Sequence, residues 1–123
     1  MRVTRSLVIF AALNGALAVA IGAFAAHGAG PQVKPLLTTG GHYQMVHAVL
    51  ALVCAVWPTP PRLVTVAGWL AAAGGLVFCL ALSTVALPGL RVMGAVAPIG
   101  GVLMISAWLL LAVTALRSQT VTA

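Results

Sequence analysis

Residues 63–87 read LVTVAGWLAAAGGLVFCLALSTVAL, without one Lys, Arg, Asp or Glu. A helix rises 1.5 Å per residue, and roughly 20 apolar residues cross the hydrocarbon of a bilayer. The run is long enough to do so with a turn to spare. It is apolar on every side, whereas a barrel strand alternates apolar and polar with a period of two. In hydrocarbon the backbone finds no water, so such a run satisfies its own N–H and C=O groups as a helix. Arg62 precedes it and Pro88-Gly89 ends it.

Three similar runs flank this one. Residues 7–26 are broken only by Asn14, residues 42–57 stop at Pro58, Pro60 and Pro61, and residues 92–116 contain Pro98. The run at 42–57 is the shortest, with Gly40-Gly41 marking its start. Short connections favour antiparallel neighbours. The expectation is an all-α integral membrane protein, a four-helix up-down bundle spanning approximately 7–26, 42–57, 63–87 and 92–116. Pro98, Gly100 and Gly101 would interrupt the fourth helix. The chain reads as a single transmembrane domain over residues 1–123.

Composition agrees. Of 123 residues 63% are hydrophobic and 5% charged, with six Lys+Arg and no Asp or Glu. A soluble domain carries about 25% charged residues. Without side-chain carboxylates there is no Ser-His-Asp triad, carboxylate pair or carboxylate proton relay. The expectation is therefore a protein that is not an enzyme, with no cofactor and no metal. The net charge of +6 is dispersed over the ends of the apolar runs, which argues against nucleic acid and for membrane anchoring. Arg2, Arg5, Arg62 and Arg117 share one side and outnumber Lys34 and Arg91 on the other. The imbalance predicts that both termini lie in the cytoplasm. Trp57 and Trp69 flank the proline-rich loop as belt residues do. The amino terminus resembles a signal peptide ending in Ala23-Phe24-Ala25, but its apolar run is longer than the usual 7–15 residues and carries Asn14. Cys54 and Cys79 lie in apolar runs and read as buried thiols.

In lipid, helices associate through close packing and interhelical hydrogen bonds. Ala11, Gly15, Ala18, Gly22 and Ala25 form one strip of small residues along the first helix, and Gly68, Ala72 and Gly75 form another on the third. Both strips suit packing within the bundle or an oligomer seam. Asn14, beside the first strip, requires a partner.

The remaining polar residues gather at the end opposite the termini: His27, Tyr43, Gln44 and His47, with Pro98, Gly100 and Gly101 in the fourth run. Tyr43 and His47 are four apart and share a helix face. His42 and His47 point about 140° apart, so they make a poor ligand pair. Met45 and Cys54 are soft groups nearby. His42 and Lys34 read as interfacial.

These segments carry a resemblance. Gly22-Ala23-Phe24 with Ala26-His27-Gly28, Tyr43-Gln44 with His47-Ala48, and Pro98-Ile99-Gly100-Gly101 with Trp108 resemble the motifs of domain of unknown function 423. That family consists of small bacterial membrane proteins related to transmembrane protein 256 of eukaryotes. The resemblance covers nearly the whole chain in order. The chain departs from the family pattern at Ala25, where glycine is usual, and at Phe78-Cys79-Leu80-Ala81-Leu82-Ser83. The resemblance implies four spans and no established activity. Three readings of the polar cluster remain open. It is a set of hydrogen bonds between helices and carbonyls freed near Pro98, a proton or small-ligand site of transporter-like character, or a metal or haem site. The leading expectation is a structural or accessory protein whose partners are the bilayer and either copies of itself or a larger membrane complex.

Overall fold

The computed structural model describes residues 3–117. Arg2, counted above for orientation, lies outside them. Four long helices follow in order: α1 (Arg5–His27), α2 (Lys34–Ala55), α3 (Arg62–Ala86) and α4 (Ala97–Arg117), with one 3-10 segment, Arg91–Ala95, ahead of α4. No strand occurs among the described residues. Arg5–His27, Arg62–Ala86 and Arg91–Arg117 are each long and apolar enough to cross a membrane.

Two boundaries differ from the sequence expectation. Helix α2 begins at Lys34 rather than near residue 42, with Pro35 in its first turn, where a proline removes no helical hydrogen bond. Gly40 and Gly41 do not break it, because each is a contact point. A Cβ on Gly40 would lie 3.2 Å from the Cys79 Cα of α3, and one on Gly41 would lie 3.4 Å from the Ala18 carbonyl of α1. The second correction concerns Pro98. It is the second residue of α4 and exposed. The chain changes there from 3-10 to α geometry, with the Ile99 N–H bonded to the Val96 carbonyl at 3.0 Å. Pro98 therefore stands in the first turn of the helix instead of interrupting it.

Neighbouring helices run antiparallel. The Thr4 N–H donates to the Ala55 carbonyl at 3.0 Å, tying the start of α1 to the end of α2. Helix α1 packs on α2, α2 on α3 and α3 on α4, while α1 touches α3 only briefly. Neither α1 nor α2 packs along α4, so the four helices form an open arrangement rather than a closed square. The interior is built mostly from alanine and other small side chains: Leu7, Ala11, Ala51, Cys54, Ala55, Val64, Ala67 and Ala71 are all buried. Cys54 and Cys79 are free thiols inside it. Phe10 stacks on Trp69 with centroids 5.5 Å apart.

The small-residue strip of α1 faces inward. Ala11, Ala18 and Ala25 are buried, Gly15 and Gly22 partly so, and a Cβ on Gly15 would meet Ala48 of α2. On α3, Gly68 accepts Leu7 of α1 and Cys54 of α2, Ala72 is buried, and Gly75 lies against Gln44 and His47. Gly74, turned 100° from Gly75, serves a different helix: a Cβ there would lie 2.9 Å from the Gly100 carbonyl of α4. The adjacent glycines thus let α3 hold α2 on one face and α4 on another.

Candidate functional site

The buried Asn14, Gln44 and His47 form two links that both start on α2. The first joins α2 to α1. The Asn14 Nδ2 donates to the Phe10 carbonyl at 3.1 Å, and the Gln44 Nε2 donates to the Asn14 Oδ1 at 2.9 Å. The first bond fixes the second: a carbonyl only accepts, so the Asn14 nitrogen faces Phe10 and its oxygen is left for Gln44. Both residues are buried, at 3% and 0% exposure. The Gln44 Oε1 has no hydrogen-bond partner. Turning the amide over would set oxygen against oxygen, so the unpaired acceptor belongs to the arrangement.

The second link joins α2 to α4. The indole Nε1–H of Trp108 donates to the His47 Nε2 at 3.0 Å, and the His47 Nδ1 lies 2.7 Å from the Tyr43 carbonyl. An indole only donates and a carbonyl only accepts. These partners assign the proton to Nδ1 and the lone pair to Nε2, a neutral imidazole with both nitrogens engaged. An imidazolium has no lone pair for Trp108, and a metal at Nε2 would have to displace the indole. Among the described residues no three metal-ligating side chains gather.

Glycines place this link. A Cβ on Gly75 would lie 3.3 Å from the Gln44 Cα and 3.4 Å from the His47 Cβ, so α2 rests on α3 at this level. Gly100 brings α4 in, where a Cβ would lie 2.6 Å from the Phe78 backbone nitrogen. Two turns further along α4, Trp108 reaches across to His47. Tyr43 stacks beside His47 and meets the Phe78 ring edge-on at 5.2 Å, and His47 meets Trp108 edge-on at 6.0 Å.

The result is an apolar cleft of about 380 Å³ between α2, α3 and α4, lined by Tyr43, His47, Phe78, Gly101, Met104, Ile105 and Trp108. Trp108 also borders a second groove with Met45, Val46, Val49 and Val53. Its indole therefore bridges an open furrow, with His47 buried on its floor and Trp108 half exposed.

The structure brings Asn14, Gln44, Tyr43, His47, Gly100 and Gly101 to these links and to the cleft. It does not bring His27 or Pro98 there: both are exposed, without a recorded side-chain bond. His42 is exposed too. Ser83 faces Cys79 at 4.0 Å, and Thr84 donates to the Ala81 carbonyl of its own helix. Two residues that matter here carried little signal in the sequence reading. Trp108 entered only through the family resemblance, although its indole N–H, a lone donor in an apolar helix, is a group that requires an acceptor. Phe78 carried no signal of its own.

These features define an all-helical membrane protein in which the buried Asn14, Gln44 and His47 connect helix to helix. The chain belongs to the family described as "Protein of unknown function (DUF423)", which matches residues 21–101. That stretch includes Gln44, His47 and the Gly74–Gly100 crossing, and stops short of Asn14 and Trp108 at either end. The chain is 34% identical over 117 residues to UPF0382 membrane protein YwdK of Bacillus subtilis, covering 89% of this chain and 95% of the relative. A UPF0382 membrane protein of Staphylococcus epidermidis is 36% identical over 115 residues, covering 89% and 94% respectively. Another, from Staphylococcus aureus strain USA300, is 35% identical over the same length and coverage. No solved structure matches the chain.

Proposed function

We propose that the protein is a non-enzymatic accessory protein of the bacterial inner membrane, with both termini cytoplasmic. It packs through the open α2–α4 furrow against a second copy of itself or a subunit of a larger complex. One observation carries this reading: the buried Asn14, Gln44 and His47 bond across helices, while the buried Ser83 and Thr114 bond within their own. Asn14 and Gln44 bond each other, and both nitrogens of His47 are taken up by Tyr43 and Trp108. Such links hold helices at fixed separation. They leave an apolar furrow wide enough for the side chains of another helix.

A photoreactive amino acid at Ile105, on the cleft wall, tests the proposal in native membranes. The expected product is a discrete protein adduct, at twice the chain mass or at the mass of one stoichiometric partner. Adducts with lipid alone would overturn it.

One observation favours a second reading, a small polar ligand or proton site. The buried Gln44 Oε1 lacks a donor, and Tyr43 and His47 stand at the neighbouring cleft. Under that reading, His47→Ala abolishes a phenotype while folding is kept. Under the packing reading, it only lowers yield and thermal stability. A Soret band or stoichiometric metal in purified protein would displace both.

A further inference from the structure

At the opposite end of α3 and α4 lies a cleft of different chemistry. Its volume is about 360 Å³, and its walls are Pro61, Arg62, Leu63, Thr114 and Arg117. We propose that Arg62 and Arg117, brought to this cleft from two helices, bind the phosphate of an anionic phospholipid headgroup.

Four features support the assignment. The first is charge: two guanidinium groups share one cleft, and the sequence holds no Asp or Glu to pair with either. Guanidinium groups present planar forks of N–H donors that match phosphate oxygens bidentately. The second is the backbone. Pro61 caps α3 without a side-chain hydrogen bond, and the first backbone bonds there are made by the N–H groups of Val64 and Thr65 to the Pro61 carbonyl. The N–H groups of Arg62 and Leu63 therefore stand at the positive end of a 25-residue helix. The third is the hydroxyl between them. The Thr114 hydroxyl donates to the Leu110 carbonyl at 2.9 Å, so it gives no bond to a phosphate, and its remaining lone pair can accept from a hydroxyl of the headgroup.

The fourth feature separates a lipid from free phosphate. Val66 lies one turn into the membrane from Arg62, and Val113 one turn in from Arg117, each on the face of its arginine. Both are exposed. The cations are thus continued by apolar surface running along the membrane helices, the shape of a headgroup with acyl chains. Lipid-binding basic pockets between membrane helices have this composition.

The test uses the full chain in a neutral detergent, titrated with phosphatidylglycerol or phosphatidylcholine and read by native mass spectrometry. Phosphatidylglycerol is expected to bind in preference to phosphatidylcholine. The double variant Arg62→Gln/Arg117→Gln should weaken it by about tenfold or more, from the loss of two surface cations. Lys34→Gln/Arg91→Gln removes the same charge at the other end and should leave binding intact. Equal weakening by both pairs would reduce the effect to net charge and overturn the site. Undiminished binding by the Arg62/Arg117 pair would overturn it as well. Inorganic phosphate binding as tightly as phosphatidylglycerol would overturn the lipid as its occupant. Both arginines are exposed, so the variants should melt with the parent. Should the double variant fold poorly, Arg117→Gln alone, at the last residue of α4, reads a smaller loss from one cation, and undiminished binding there would overturn the site.

Discussion

Helices α1 and α4 flank the α2–α3 pair, and they are attached in different ways. Helix α1 lies on α2 along an inward strip of small residues and is clamped by a fully buried amide pair, Asn14 and Gln44. Helix α4 meets α3 backbone to backbone at Gly74 and Gly100, and its hydrogen bond to α2 comes from the half-exposed Trp108. One flank is sealed and the other hangs open over a furrow. The contrast locates the furrow on the α4 side of the molecule, away from the amide clamp.

The largest effect is expected where α4 is held. In Gly100→Ala, the new Cβ would meet the Phe78 backbone nitrogen, which cannot swing aside as a side-chain tip does. The helices must separate, at about 3 kcal/mol, the upper part of the range for overpacking. The expected readout is a lowered unfolding midpoint in detergent with loss of the Trp108–His47 bond. An unchanged midpoint would show that α4 is not held at this crossing.

Next comes the sealed flank. Asn14→Ala leaves the buried Gln44 amide without its partner, at about 2 kcal/mol. The double variant Asn14→Leu/Gln44→Met removes both partners and the orphan Oε1 together, and should recover most of that loss. A double-mutant cycle in unfolding measurements checks this. Simple additivity of the single losses would mean that the two amides do not act as a pair.

The smallest effect belongs to the single bond across the furrow. Trp108→Phe keeps the ring and deletes the donor, leaving the His47 Nε2 lone pair unmatched beside lipid. About 1 kcal/mol is expected, with a changed ¹⁵N signature at His47 as the tautomer loses one of its two fixed partners. If this loss exceeds that of Asn14→Ala, the ranking of the flanks is reversed.

Much of this architecture was legible. Long apolar runs in a chain without acidic side chains have few physical options besides membrane helices, and family membership agrees. The need of Asn14 for a partner followed from the cost of a buried amide, although Gln44 was grouped with the histidines. What escaped the sequence has definite causes. Gly40 and Gly41 read as breakers because glycine weakens a helix, yet close contacts with Cys79 and Ala18 require them inside one. Pro98 read as an interruption because a short 3-10 segment ahead of a helix has no signature distinct from the helix itself. His27 joined the polar cluster on sequence order, but its place at the last residue of α1 leaves it exposed. The open furrow was invisible for a more general reason. Lipid and a neighbouring helix are both apolar, so no stripe along α4 tells one from the other.

With Trp57 and Trp69 replaced by Phe, the hydrogen bond that crosses the furrow makes Trp108 an optical gauge. Its indole is anchored at one end and bathed by the surroundings at the other, so brominated acyl chains should quench its emission while the furrow is filled with lipid. Shielding from that quenching would report the arrival of a protein occupant without any label attached to the chain.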